Sequence, residues 1–294
     1  MIAFRRIICP IDFSESSRHA LDHAVAIARW YGGAVTALHV LQPIPYTDPL
    51  MAGGLEYTAA DVERTERDLA RFVDEEIGSV MPIEIAVLQG VPALVIVEQA
   101  RLLDADLIVL GTHGRRGFER FMLGSVAERV LRKASCPVLT VPARTPDAVG
   151  RGPVVFNQIL CGVDFSPASA QALTYAASLA RWSEARLTAM HVVEARPLYE
   201  PSALGASAFQ NFEAEAVEAA TGRLRDLVPR DVAVTEVIEV GKPYRALLDR
   251  CAADGSDLIV IGVHSGVSDR LGFFGSTTNH IVREATCPVL SLRG

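Results

Sequence analysis

The chain has 294 residues, half of them hydrophobic and 21% charged, with 35 acidic against 28 basic side chains and a net charge of −7. That length allows two ordinary domains with a core each, and the acidic balance, with no Lys/Arg block, argues against a nucleic-acid binder. No apolar run approaches the ~20 residues of a membrane helix, the first six residues carry no leader pattern, and the five cysteines are widely spaced with no Cys-x-x-Cys pair. A cytoplasmic protein in a reducing compartment is the expectation, with neither membrane nor nucleic acid as partner.

The first apolar run, Arg6 to Ile11, reads as a strand, and Ser14 is placed to cap the helix after it. That helix runs through Leu21, Val25 and Ala28 at helical spacing and stops at Gly32-Gly33. Ala34 to Leu41 is rich in strand formers. A Pro/Gly loop from Gln42 to Gly54 leads to a charged amphipathic helix from about Thr58 to Ile77. Ile83 to Leu88 is a third strand, and Pro92 sits where a helix begins. Leu107 to Leu110 is a continuous apolar run of the buried-strand type. Ser125-Val126-Ala127-Glu128 reads as a capping box opening another helix, and Val138 to Val141 supplies a fifth strand.

The same order then repeats. Ile8-Cys9-Pro10-Ile11-Asp12-Phe13-Ser14 returns as Leu160-Cys161-Gly162-Val163-Asp164-Phe165-Ser166 at an offset of 152, as do Ala28-Arg29-Trp30 and His39-Val40. Asp106-Leu107-Ile108-Val109 and Cys136-Pro137-Val138-Leu139 return at 151, so one deletion separates the two registers. A period this long marks a duplicated domain. Residues 1–144 form the first copy and 157–294 the second; the Pro- and Gly-containing stretch 145–156 reads as the linker. Alternating strands and helices imply an α/β fold, two tandem parallel sheets covered by helices. Ligands on such sheets bind beyond the carboxyl ends of the strands, where strand order reverses.

After the fourth strand comes Gly111-Thr112-His113-Gly114, then nine residues, then Gly124-Ser125 opening a helix. Gly111 and Gly114 permit a tight turn and close approach to a bulky anion. The helix N-terminus attracts negative charge, the Ser125 hydroxyl serves as a cap or as a phosphate donor, and Arg115, Arg116 and Arg120 offset phosphate charge. This is neither a Walker A loop nor the dinucleotide fingerprint, which lies after the first strand.

Gly-x-x-Gly, nine residues and Gly-Ser in this place, with Asp-Phe-Ser after the first strand, His-Val ending the second and Cys-Pro-Val before the fifth, resembles the ATP-binding motif of the universal stress protein family. The resemblance spans both copies. It implies a five-stranded Rossmann-like sheet of order 3-2-1-4-5 in each, domains pairing through their fifth strands within the chain, and adenine nucleotide as ligand: ATP, with Mg2+ beside it. It places the ribose at Asp12, after Pro10 and Ile11, and the adenine against the Val40 backbone. The phosphates fall to Gly111, Gly114, Gly124, Ser125 and Val126, with Thr112, His113 and Arg115 in the same loop.

The second copy departs from this pattern. Its loop reads Gly262-Val263-His264-Ser265, nine residues, Gly275-Ser276-Thr277, and Ser265 replaces the second glycine. A Cβ there intrudes on the phosphate path and costs strain if φ is positive. Only Arg270 remains basic, beside Asp269. Val163, Asp164 and Val192 are kept, so an adenosine-sized pocket is expected to persist, with the first copy the principal ATP site.

Plainer roles compete with these. Asp12 and Asp164 also read as caps of the first helices, a role that the family resemblance ranks below the ribose contact; His39 and His191 read as structural histidines, and His19 and His23, despite metal-ligand spacing, as residues on a solvated helix face. The cysteines read as small buried hydrophobes. No nucleophile with an adjacent base and no paired carboxylates accompany the loop. A nucleotide-dependent regulatory protein is therefore the leading reading. A slow ATPase or autophosphorylating enzyme, drawing on the hydroxyls of Ser125 and Thr112, and a nucleotide-free interaction module are the alternatives. Whether two tandem chains form a homodimer is left open.

Overall fold

A computed structural model describes residues 2–43, 57–78, 81–112, 123–143, 154–194, 206–263 and 275–293, with the α6 side chains described from residue 213. The chain divides into two compact units, Met1–Val155 and Phe156–Gly294.

The first unit runs β1 (Arg6–Pro10), α1 (Glu15–Tyr31), β2 (Ala34–Leu41), α2 (Ala59–Ile77), β3 (Ile83–Gln89), α3 (Pro92–Leu102), β4 (Leu107–Gly111), α4 (Ser125–Lys133) and β5 (Val138–Val141). Its strands are parallel in the order β3-β2-β1-β4-β5. The second unit runs β6 (Gln158–Gly162), α5 (Pro167–Ser183), β7 (Arg186–Glu194), α6 (Ala206–Leu227), β8 (Val234–Gly241), α7 (Pro243–Asp254), β9 (Leu258–Val263), α8 (Ser276–Glu284) and β10 (Val289–Arg293). Its order is β8-β7-β6-β9-β10, again parallel. Counterpart strands begin 152 apart at Ala34 and Arg186 but 151 apart at Ile83 and Val234. The deletion therefore falls between the second and third strands.

Local chemistry accounts for these elements. The Ser14 hydroxyl accepts the Ser17 N–H at 3.2 Å and caps α1, which Gly32 ends in the left-handed region at φ 63°. Ser166 caps α5 the same way, through Ser169 N at 3.0 Å. Thr58 and Asp61 form a reciprocal capping box that opens α2. The central strands are apolar on both faces and sit between helices. Ile8, Ile108 and Val109 are at most 1% exposed; burying each such side chain contributes about 1.5–3 kcal/mol. The edge strand β3 buries only Val87 outright.

Asp106 fastens the start of β1 by accepting the Arg5 and Arg6 N–H groups at 2.9 Å each. Asp257 repeats this on Asn157 and Gln158 at 2.7 and 3.1 Å. Packing of the second unit begins at Phe156, 1% exposed and the counterpart of Phe4.

Candidate functional site

The turn between β1 and α1 is a local construction that the second unit repeats. Ile11 N–H donates to Leu38 O at 2.9 Å, and Val163 N–H to Met190 O at 2.8 Å. Each turn thereby ends alongside the second strand. The Asp12 carboxylate accepts the Ser14 N–H at 3.1 Å and also the Ser14 hydroxyl; Asp164 accepts the Ser166 N–H at 3.0 Å. These side-chain turns hold Phe13 and Phe165 at φ 63°, a left-handed conformation that bulky residues seldom adopt. The capping reading of the aspartates is thus corrected. Serine caps each helix, and aspartate braces the turn before it.

His39 and His191 are structural, as expected from sequence. Their Nδ1–H groups donate to Ile11 O at 2.6 Å and Val163 O at 2.7 Å. Each ring also lies against the strained phenylalanine, with centroids 4.8 and 4.3 Å apart.

Gly111 has a packing role that the sequence did not suggest. A Cβ there would meet Ser16 of α1, its Cβ at 2.8 Å and its carbonyl carbon at 2.9 Å. At Gly262 the clash is with the Ala168 backbone at 2.5 Å. Both glycines let the first helix lie directly on the fourth strand of its unit, and neither needs a positive φ. Thr112 donates its N–H to Val141 O at 2.9 Å and is 4% exposed, which turns it away from solvent. His113, Gly114, Arg115, Arg116, Arg120, His264, Ser265, Asp269 and Arg270 lie outside the described residues.

The capping box at Ser125 does not form. Gly124 is the cap of α4: its N–H donates to Thr112 O at 2.7 Å, and its carbonyl accepts the Glu128 N–H at 2.9 Å. The bond to Thr112 fixes the chain direction one residue earlier than the capping pattern requires. Ser125 becomes the first helical residue, exposed and making no cap bond. Gly275 and Ser276 repeat the arrangement on α8. Both helices consequently begin without a side-chain acceptor, and a helix start of that kind favours an anion.

In the second unit the spaced motif residues meet around one cavity of about 560 Å³. Val163 and Asp164 border it after β6, Val192 from β7, Gly262 from β9, and Gly275, Ser276 and Thr277 at the start of α8. It lies beside β6 and β9, where the strand order reverses. Among the lining residues that the sequence reading did not assign to the site are Phe165, Arg223 of α6 and Leu247 of α7. The Arg223 guanidinium sits 4.0 Å above the Phe165 ring centroid. The repeated Asp-Phe-Ser was a signal for Phe165; Arg223 had none, because nothing in α6 marks which face meets the sheet.

In the first unit Asp12 follows β1, Val40 lies on β2, Gly111 ends β4, and Gly124, Ser125 and Val126 open α4. Pro10, the last residue of β1, pairs with Leu38, so β2 runs on past the end of β1 through Val40 to Leu41. Here Phe72 of α2 meets Phe13 edge-on at 5.6 Å, with the Arg18 guanidinium 4.5 Å over Phe72 and ion-paired to Glu76.

The two histidines of α1 do not share a solvated face. His23 is 7% exposed, not solvated, and its Nδ1–H donates to His19 O at 2.8 Å; burial lowers its pKa to about 4. Among the described residues no group of three His, Cys, Asp or Glu side chains is placed to hold a metal, and no helix is long and apolar enough to cross a membrane.

The comparisons agree with this arrangement. The profile of the universal stress protein family matches residues 3–142 and again 156–293. A universal stress protein of Methanocaldococcus jannaschii is 39% identical over 141 residues, which is 47% of this chain and 82% of that one. One from Mycobacterium tuberculosis is 32% identical over 194 residues, 65% of this chain and 62% of its own length. The crystal structure of a universal stress protein from Archaeoglobus fulgidus superposes with a TM-score of 0.63 at 21% identity, over 99% of both chains, and bears on the fold. Two matches to one family, each covering a unit with the same strand order and the same braced turn, leave one conclusion: the chain is a tandem member of the universal stress protein family.

Proposed function

We propose that this chain binds adenine nucleotide, ATP with its Mg2+, and acts as a nucleotide-dependent regulatory protein in which occupancy changes stability or partner choice. The observation that carries the reading is the convergence of residues far apart in sequence on a cavity of nucleotide size. Asp164, Val192 and the uncapped start of α8 all border it; in this reading they meet the ribose, the adenine and the phosphates. The first unit has the same turn and the same uncapped helix start, at Asp12 and Gly124. Its loop also keeps Gly114, Arg115, Arg116 and Arg120, where the second has Ser265 and Asp269. The first unit is therefore the principal ATP site. Mg2+ in this reading is carried by the phosphates.

Acid extraction of the purified full chain, with chromatography of the released nucleotide, tests the proposal, followed by thermal melts in millimolar Mg-ATP. At a ligand concentration 100 times Kd the stabilisation is about 2.7 kcal/mol. Gly124→Trp is expected to reduce binding more than Gly275→Trp. Ala219→Trp, which fills the second cavity from an exposed position on α6, removes only the weaker site. No released nucleotide together with no thermal shift refutes nucleotide binding, and equal losses from the two glycine variants refute the ranking of the sites.

A further inference from the structure

Cys251 and Cys287 are 36 residues apart in sequence, yet their sulfur atoms lie 3.4 Å apart in the second unit. Cys251 is in the last turn of α7, and Cys287 is in the turn between α8 and β10. The wide spacing of the cysteines gave no hint of this, because the pairing arises only when α7 packs against that turn. At 5% and 2% exposure both are buried, Cys251 slightly less so. Sulfurs in van der Waals contact need approach by little more than 1 Å to reach the ~2.05 Å of a bond.

The geometry points to a reversible disulfide between Cys251 and Cys287, formed by a peroxide-class oxidant, as a redox modification site of the second unit. The hydrogen bond from Cys287 lowers the Cys251 pKa, with burial and the charges of Asp257 and Asp254 opposing it, and raises that of Cys287 well above the ordinary thiol range. Cys251 is accordingly the attacking thiolate. Its sulfur attacks a peroxide oxygen, the O–O bond breaks, and the departing hydroxide takes up the proton that Cys251 lost. The Cys287 sulfur then attacks the resulting sulfenic acid; the S–S bond forms, the S–O bond breaks, and the hydroxyl leaves with the Cys287 proton as water. Two thiols and one peroxide give one disulfide and two waters, and a dithiol reductant reverses the result.

The duplication supplies an internal control. At the same register, 151 residues earlier, the first unit has Cys136 but Ala100 in place of Cys251. Ala100 is 4% exposed and packs there without difficulty. The proposal is independent of nucleotide binding, although Leu247, one turn before Cys251 on α7, lines the cavity.

The test treats the full chain with limiting hydrogen peroxide, then denatures it, counts free thiols and maps peptides without reduction. The expected result is loss of two of the five thiols, a Cys251–Cys287 cross-linked peptide in a monomeric product, and full recovery with dithiothreitol. The melting temperature of the second unit rises by roughly 10 °C on oxidation, as closing a loop of this length implies. Cys251→Ala, which copies the residue of the first unit, keeps all its thiols and shows no such rise. Persistence of five thiols, linkage through any other cysteine, or equal thiol loss in Cys251→Ala overturns the proposal. Because the peptide map is made on the unaltered chain, the outcome does not depend on how well the variant folds.

Discussion

Replacing Gly111 by alanine separates packing from ligand binding at the motif's first glycine. The added methyl would fall 2.8 Å from Ser16 Cβ and 2.9 Å from Ser16 C, against 3.4–4 Å for ordinary contact. The main chain of the first turn of α1 must therefore move by about half an ångström or more. That turn holds the Ser16 hydroxyl on Val141 O at 3.3 Å and the Ser14 cap on Ser17 N at 3.2 Å. Overpacking of this sort costs about 1–3 kcal/mol, and strain on the cap adds roughly 1. A total near 3 kcal/mol lowers the melting temperature of a unit of this size by roughly 10 °C. Urea and thermal denaturation of the full chain without nucleotide measure it. Gly32→Ala is the comparison, since a Cβ there meets nothing within 4 Å and only the left-handed φ of 63° is offended; it costs about 1 kcal/mol. A Gly111→Ala chain as stable as the parent, losing nucleotide affinity alone, would refute the packing argument and return Gly111 to the ligand.

Two further outcomes follow from the same structure. Burial, with the Glu76 charge adding and the Arg18 charge opposing, raises the Asp22 carboxyl from 3.8 to about 7. Stability from this group is present below pH 3.8 and lost as pH rises through about 7. Asp22→Asn is therefore more stable than the parent at pH 8, by about 1–3 kcal/mol after allowance for solvent screening, and the advantage disappears near pH 4; melting curves across that range that stay parallel would contradict it. Removing the carboxylate that ties down the start of β1, in Asp106→Ala, leaves two N–H groups without their 2.9 Å acceptor. The cost is about 2 kcal/mol in urea denaturation, with Asp106→Asn intermediate, and an unchanged midpoint would mean that water replaces the carboxylate at no loss.

The sequence by itself determined the duplication, the order of elements and the parallel sheet. Those follow from properties that local chemistry enforces: apolar runs at Leu107 and Val138, a serine cap at Ser14, a glycine stop at Gly32. The braced turn was half legible. Asp-Phe-Ser was seen as a unit, but the division of labour between Asp12 and Ser14 depended on the left-handed Phe13 between them. The Ser125 capping box was read and did not form, because a bond between Gly124 and Thr112 set the helix start first. What only the tertiary structure decided are contacts between segments whose separation in sequence carries no periodic signal. Ser16 beneath Gly111, Arg223 over Phe165 and Cys251 against Cys287 are such pairs. Each depends on which face a helix turns to its neighbour and at what depth, and that is fixed by the packing of the whole unit rather than by the residues on either side.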